Sequence, residues 1–277
     1  MNANGRLSAA GSMGWAGERR GSLLTFFLLV FALSVPFWLA GAATGAEIVK
    51  GLPVGALMAF APMFAATILT WRERGAEGVL ALLKRVFDYR RIRRKIWYVP
   101  ILLLKPAVAV VSYEVMFLLG LPLPEPRFSL LLALGLFAGF FIPNAAEELG
   151  WTGYAMERLQ SRWNALRSGL LLGVVWAAWH LVPLVQAHRS AKWIAWWCLG
   201  TVATRVIYVW IYNNTGGSVF AATLFHAVDD VSWLMFPNLG SHYEPRVTGL
   251  LIAFVAVIIT YVWGPRTLAR PGTHVTG

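Results

Sequence analysis

Three short motifs place acidic and imidazole side chains inside apolar stretches of the chain. They are Glu147-Glu148, a segment ending at His180, and a segment running from His226 to Asp230. Ionisable residues at membrane depth are costly, so they mark functional sites by default. A carboxylate can deprotonate water, and imidazoles can hold that water or stabilise an oxyanion. This combination of side chains is typical of hydrolytic chemistry.

The spacing within each motif predicts which side chains share a helix face. Adjacent helical residues point about 100° apart, so Glu147 and Glu148 face different neighbours and have different tasks. Residues four apart share a face, which places the ring of Trp176 beside His180. Each motif alone also fits a structural role, as a helix end or as a histidine bonded to a neighbouring helix. The sequence does not decide which glutamate is the base.

The same side chains also suit a metal ion. Glu147, His180 and His226 could bind Zn²⁺ and leave a fourth position for water, as in catalytic zinc sites. No His-Glu-x-x-His helix accompanies them to make that interpretation specific. The sequence therefore leaves both metal-free glutamate catalysis and metal catalysis open.

The composition indicates what kind of element positions these motifs. Of the 277 residues, 58% are hydrophobic and 13% are charged, against about 25% charged in soluble proteins. The mean hydropathy is +0.60. The single Cys198 excludes an internal disulfide and a cysteine-based metal cluster. We predict an all-α fold, a polytopic bundle of membrane helices, rather than a soluble globular protein.

Hydropathy predicts eight membrane spans, because each apolar stretch approaches the roughly 20 residues that cross about 30 Å of hydrocarbon. The predicted spans are residues 22–43, 52–71, 96–119, 128–149, 167–186, 192–212, 217–236 and 247–264. The first is too long for a typical signal-peptide core. Apolar residues continue beyond the fourth span, so we expect Glu147 to lie deeper than the span boundary suggests. The prediction is one transmembrane domain over 22–264, its motifs within 128–236, with tails at 1–21 and 265–277.

The basic residues predict the orientation of the chain. The formal net charge is +11, and 17 of the 24 Lys and Arg residues lie in the N-terminal tail and alternate loops, against 5 in the opposite loops. The positive-inside rule then places both termini in the cytoplasm of a multi-pass protein of the cell membrane. The densest run, residues 90–95, fits a loop that faces the anionic headgroups of the bilayer, and no nucleic-acid recognition fold accompanies it.

The motifs, in this order and on separate spans, resemble the CAAX protease and bacteriocin-processing family (CPBP, or Abi) of intramembrane endopeptidases, which includes the type II CAAX prenyl endopeptidases. The resemblance covers roughly residues 130–235. The family pattern Glu-Glu-x-x-x-Arg matches Glu147-Glu148, aromatic-x-x-x-His matches Trp176 (usually Phe in the family) to His180, and His-x-x-x-Asn/Asp matches His226 to Asp230.

The resemblance implies roles for these residues. Glu147 would activate the attacking water with His180, while His226 and Asp230 would stabilise the oxyanion. Because an ionised Asp230 repels an oxyanion, we hypothesise that it instead orients His226 and favours its protonated, donating form. The implied substrate is a membrane-associated protein or peptide, and the family name suggests a prenylated CAAX-like one. Nothing in the sequence recognises an isoprenoid in particular.

One position departs seriously from the family pattern. Thr152 stands where the family has arginine, so a cation for Glu148 must come from elsewhere or be absent. Arg158 and Arg205 are the candidates, although Arg205 could instead pair with Glu114. A member that has lost catalysis would be a membrane scaffold or immunity protein. A proton-coupled transporter could use the same residues, but no matching pair of broken helices supports it. We favour the intramembrane endopeptidase.

Overall fold

The computed structural model describes residues 23–49 and 52–269. Within these ranges the chain is a bundle of α-helices with one small antiparallel sheet. The helical bundle agrees with the predicted fold class. The helices are Leu23–Thr44 (α1), Ala61–Lys84 (α2), Tyr98–Leu118 (α3), Leu130–Gly150 (α4), Glu157–Gln160 (α5), Ala165–Trp179 (α6), Leu181–Gln186 (α7), Ala191–Asn214 (α8), Val219–Met235 (α9) and Pro245–Trp263 (α10). The strands are Glu47–Val49 (β1) and Leu52–Pro53 (β2).

Shorter helical turns extend several of these helices. A 3-10 helix at Val54–Phe60 leads into α2, and a π-helix at Trp151–Met156 joins α4 to α5. Further 3-10 turns at Arg85–Phe87, Tyr89–Arg91 and Lys95–Trp97 connect α2 to α3. The helical segment that carries the two glutamates therefore continues to Gln160, well beyond the predicted boundary at residue 149.

Each of the eight predicted spans coincides with helix, but two of them are shorter than predicted. Six helical segments of the described chain are long and apolar enough to cross a membrane. The span predicted at 167–186 is divided into α6, of 15 residues, and the six-residue α7. The span predicted at 217–236 is α9, of 17 residues. These two shorter elements carry the histidine motifs.

Contacts between loops agree with a chain that alternates between two ends of the bundle. At one end, Nη1 of Arg91 donates to the carbonyl oxygen of Gly216 at 2.9 Å. At the other end, the backbone N–H of Arg127 donates to Oδ1 of Asn238 at 2.7 Å. Each contact joins two loops that the sequence places on the same side of the membrane. Which end faces the cytoplasm stays a prediction.

The predicted tails lie largely outside the described residues, which omit 1–22 and 270–277. The described start of the second tail packs against the bundle. The carbonyl oxygen of Arg266 accepts a hydrogen bond from the backbone N–H of Ala165 at 2.9 Å. That of Leu268 accepts from Nδ2 of Asn214 at 2.7 Å.

Side-chain caps explain where several helices begin. A serine or asparagine oxygen that accepts a hydrogen bond from the first turn satisfies a backbone N–H that otherwise has no partner. Four helices, α4, α6, α8 and α9, begin in this way, each with a cap that accepts from the N–H three residues later. The caps are Ser129, Asn164, Ser190 and Ser218.

Glycines allow α6 to pack directly on α8. A Cβ atom added to Gly173 would lie 2.9 Å from the Cα atom of Val202, and one added to Gly169 would lie 3.2 Å from that of Val206. Small residues allow such close approach between membrane helices. The approach brings Trp176, at the end of α6, against the middle of α8.

Large apolar side chains cover the outside of the bundle. Leu24 of α1, Val110 of α3, Leu131 of α4 and Phe254 of α10 are each at least 61% exposed. An apolar surface of this extent suits contact with hydrocarbon rather than with water. The apolar side chains thus face outward, whereas polar residues such as Glu148 and Arg205 are buried inside the bundle.

Candidate active site

The two glutamates lie within the long helical segment Leu130–Gln160. Pro143 precedes them by one turn, and the backbone widens into the π-helix immediately after Gly150. Such π-helical turns are rare and are frequently found at functional sites. About 20 Å of helix follows Glu147. The helical segment thus extends well beyond the predicted boundary at residue 149, and the depth of Glu147 in the membrane stays a prediction.

Glu148 is fully buried and held by partners on both of its oxygens. Nη1 and Nη2 of Arg205, from α8, lie 2.9 Å from Oε2 and Oε1 respectively. Thr152, one turn along the helix, donates from Oγ1 to Oε2. Nδ1 of His226 lies 3.0 Å from Oε1. These contacts commit Glu148 to holding its neighbours in place.

Glu147, by contrast, lines the interior cavity. Nε1 of Trp176 donates to Oε2 of Glu147 at 2.9 Å. Among the described residues, this is the one hydrogen bond that the carboxylate of Glu147 accepts. Its other oxygen, Oε1, is therefore available to a water molecule. Glu147 is therefore the glutamate whose position suits a general base.

His180 occupies the junction between α6 and α7. Its Nδ1 lies 2.8 Å from the carbonyl oxygen of Trp176, and because a carbonyl only accepts, Nδ1 carries the proton. Nε2 is then an acceptor. The rings of Trp176 and His180 meet edge to face, with centroids 5.1 Å apart, as their spacing predicted.

His226 and Asp230, both from α9, have different partners. Nδ1 of His226 bonds to Glu148, whereas Oδ2 of Asp230 accepts a hydrogen bond from Nδ2 of Asn144 at 2.9 Å. The carboxylate bonded to Nδ1 of this imidazole thus belongs to Glu148 rather than to Asp230. The part of the hypothesis in which Asp230 favours the protonated form of His226 stays a prediction. Asp230 itself ties α9 to α4.

A second ion pair, which the motifs did not predict, lies beside these residues. Nζ of Lys105, from α3, lies 2.8 Å from Oδ2 of Asp229 and donates to Oγ1 of Thr204 at 3.0 Å. A lysine within a predicted span is itself a marker of function or of a buried partner, so this signal was present. Asn144, which follows Pro143 in the helix that carries the two glutamates, is also a polar residue within a predicted span, but an uncharged side chain is a weaker indication of function.

A cavity of about 660 Å³ brings the predicted motifs together. This volume falls in the range that accommodates small ligands or a peptide side chain with its neighbours. Four of the five predicted catalytic residues line it: Glu147, His180, His226 and Asp230. Glu148 does not line the cavity but bonds to His226, which does. Much of the remaining wall is apolar and includes Leu57, Phe60, Leu136, Phe140 and Trp197.

Comparison with known proteins agrees with this geometry. The family model of Rce1-like type II CAAX prenyl endopeptidases matches residues 125–232, which include all three motifs. Residues 125–232 are therefore similar to this family. A curated relative, the CAAX prenyl protease 2 of Methanococcus maripaludis, is 27% identical and aligns with 85% of this chain and 92% of its own length. The predicted resemblance is confirmed, and so is the predicted enzyme class, a membrane protease.

The candidate active site obtains its buried cation from α8. Of the alternatives raised by Thr152, Arg205 is the residue that pairs with Glu148. Arg158 instead bonds to Glu73 at 2.5 Å. Glu114, the other partner considered for Arg205, is exposed on α3. The threonine therefore does not leave Glu148 without a cation.

The described side chains of the candidate active site do not form a metal-binding set. Within residues 23–49 and 52–269, no three His, Cys, Asp or Glu side chains are arranged to hold one metal ion. Glu147, His180 and His226 thus do not fit Zn²⁺ in this arrangement.

Proposed function

We propose that this protease cleaves a peptide bond near the carboxyl terminus of a prenylated, membrane-associated protein. The observation that carries the proposal is that Glu147, His180 and His226 line one largely apolar cavity within a membrane bundle. The names of the matching family and of the Methanococcus maripaludis relative support a prenylated substrate. An apolar wall also suits an isoprenoid chain or apolar side chains next to the cleaved bond.

Glu147 and His180 activate the water in this proposal. Oε1 of Glu147 accepts one proton of the water, and Nε2 of His180 accepts a hydrogen bond from the other. The lone pair of the oxygen is then free to attack the carbonyl carbon of the substrate. Both acceptors are held in place, Glu147 by Trp176 and His180 by the backbone of its own helix.

His226 stabilises the tetrahedral intermediate. The attack places negative charge on the former carbonyl oxygen, and a donor aimed at that position lowers the barrier. With Nδ1–H donated to Glu148, a doubly protonated His226 presents Nε2–H to the oxyanion. Collapse breaks the carbon–nitrogen bond, and the proton taken up by Glu147 passes to the leaving amine. The base is thereby restored.

Purified protein in liposomes provides the test. A farnesylated peptide ending in a CAAX-type sequence serves as the substrate, and mass spectrometry detects the released carboxyl-terminal peptide. We expect Glu147→Gln, His180→Ala and His226→Ala each to reduce turnover by about 10³-fold or more, because each removes a group that acts in the transition state. All three variants should remain in the membrane at normal abundance.

Two exposed positions provide matched controls. Glu77→Gln and His242→Ala change the same residue types outside the cavity and should retain turnover. Full turnover in all three site variants would contradict the proposed mechanism. Cleavage of the unprenylated peptide at an equal rate would contradict the proposed substrate while leaving the mechanism intact. In cells, new protein termini that disappear with Glu147→Ala and His180→Ala together would reveal natural substrates.

A further inference from the structure

Trp176 provides the indole N–H that the carboxylate of Glu147 accepts. The donor atom Nε1 and Oε2 of Glu147 are 2.9 Å apart, and both side chains are at most 6% exposed. A buried carboxylate with one bonded oxygen has a defined orientation, because rotation of the carboxyl group would break that bond at full desolvation cost. The second oxygen then points to a fixed position in the cavity.

The indole itself is held from several sides. The guanidinium carbon of Arg205 lies 3.9 Å from the centre of the Trp176 ring. The ring of His226 meets it edge to face at a centroid distance of 5.4 Å, and that of Tyr208 does so at 6.1 Å. Stacking of a cation on an indole is among the stronger interactions of an aromatic ring when both are desolvated.

The cation that holds the indole is in turn fixed by Glu148. Two nitrogens of Arg205 contact the two carboxylate oxygens, and both side chains are completely buried. The contacts therefore run from Glu148 through Arg205 and Trp176 to Glu147. The adjacent glutamates, which point in different directions on one helix, are joined through α8 and α6.

We infer that Trp176 is a positioning residue, whose indole N–H directs the free oxygen of Glu147 toward the attacking water. The inference rests on the proposed role of Glu147 as the base. A phenyl ring at this position could wall the cavity but could not donate the hydrogen bond. Where the family usually has phenylalanine, Trp176 therefore adds a polar contact.

The sharpest test removes the N–H and keeps the shape of the ring. Site-specific incorporation of benzothienylalanine at position 176 replaces N–H with sulfur and retains the bicyclic aromatic face. We expect kcat on the prenylated peptide to fall on the order of 10- to 100-fold, since small misplacement of a reacting group has effects of this size. KM should stay near the wild-type value, because the cavity wall is unchanged.

A second tryptophan provides the matched control. Trp210 lies in α8 and does not line the cavity. It is buried, and its Nε1 has no hydrogen-bond partner within the described ranges. Benzothienylalanine at position 210 should therefore leave kcat unchanged. An equal loss at both positions would show that the replacement harms the fold, and would overturn the inference.

Glu147→Gln, measured in parallel, separates this inference from the proposed function. If Glu147→Gln is inactive and benzothienylalanine at position 176 retains the wild-type kcat, Glu147 is the base but Trp176 does not position it. If Glu147→Gln retains turnover, the assignment of the base fails, and the inference about Trp176 fails with it. A lower kcat at position 176 with an inactive Glu147→Gln supports both.

Discussion

At the scale of single residues, the pairing of Glu148 with Arg205 is the feature on which the site depends most. Both side chains are fully buried, and the same carboxylate also bonds to Thr152 and His226. A buried ion pair adds little stability compared with apolar residues, but removing one partner leaves an uncompensated charge. The pair is therefore expected to act as a unit.

A double-mutant cycle tests this expectation. Arg205→Met should lower the free energy of unfolding by about 3–5 kcal/mol, because Glu148 is left buried without its cation. Adding Glu148→Gln to Arg205→Met should recover part of that loss by removing the charge. Unfolding by SDS titration in mixed micelles measures both effects. Strictly additive effects of the two substitutions would show that the residues are not coupled.

Metal chelation gives a second prediction at the residue scale. The proposed chemistry uses Glu147, His180 and His226 without a metal, and these side chains do not form a ligand set among the described residues. We expect 1,10-phenanthroline or EDTA to leave turnover of the prenylated peptide unchanged. A loss of turnover that added Zn²⁺ restores would contradict the metal-free mechanism.

At the scale of elements, the contact of α4 with the start of α2 positions the glutamates. A Cβ atom added to Gly150 would lie 2.5 Å from both Cβ and the carbonyl oxygen of Pro62. Backbone atoms offer no way to relieve such an overlap, so the helices would have to separate. Glu147 and Glu148 lie within one turn of this contact and would move with it.

Gly150→Ala should therefore destabilise the protein and reduce its turnover. Overpacking of a close contact costs typically about 1–3 kcal/mol, and here the glutamates are displaced as well. Gly139→Ala is a matched control for stability, since it lies on the same helix and a Cβ atom there would meet nothing within 4 Å. Thermal unfolding in detergent compares the two. Equal unfolding temperatures would show that the contact with Pro62 is not tight.

At the scale of the whole molecule, the distribution of basic residues predicts which end of the bundle faces the cytoplasm. The structure separates the loop containing Arg91 from the loop containing Arg127 by their contacts with different partners. The first loop belongs to the strongly basic set, and the second to the set that is poor in Lys and Arg. The positive-inside rule places the first in the cytoplasm.

Cysteine labelling tests this orientation. In a Cys198→Ser background, Glu125→Cys should react with a membrane-impermeant maleimide on intact cells, whereas Arg93→Cys should react only after lysis. Both positions are exposed on the protein, so access depends on the membrane. The reverse labelling pattern would show that the bundle has the opposite orientation. Every loop would then lie on the side of the membrane opposite to the predicted one.

Much of this arrangement could be read from the chain. Apolar stretches of the right length predict membrane helices because hydrocarbon leaves no water to satisfy the backbone. Four-residue spacing predicts the contact between Trp176 and His180, since it depends on helix geometry alone. Ionisable residues stand out in such stretches because of their cost. Motif, spacing and hydropathy are all local properties, which is why they identify the class of fold and the candidate residues.

Contacts between distant segments required the folded structure. The partner of Glu148 is Arg205, 57 positions along the chain. Its place within a predicted span marks Arg205 as unusual, but no local pattern specifies which carboxylate it pairs with. Likewise, the carboxylate bonded to His226 is Glu148 rather than Asp230, its neighbour on the same helix. Such pairings depend on how α4, α6, α8 and α9 pack, because helices bring together side chains that are far apart in sequence.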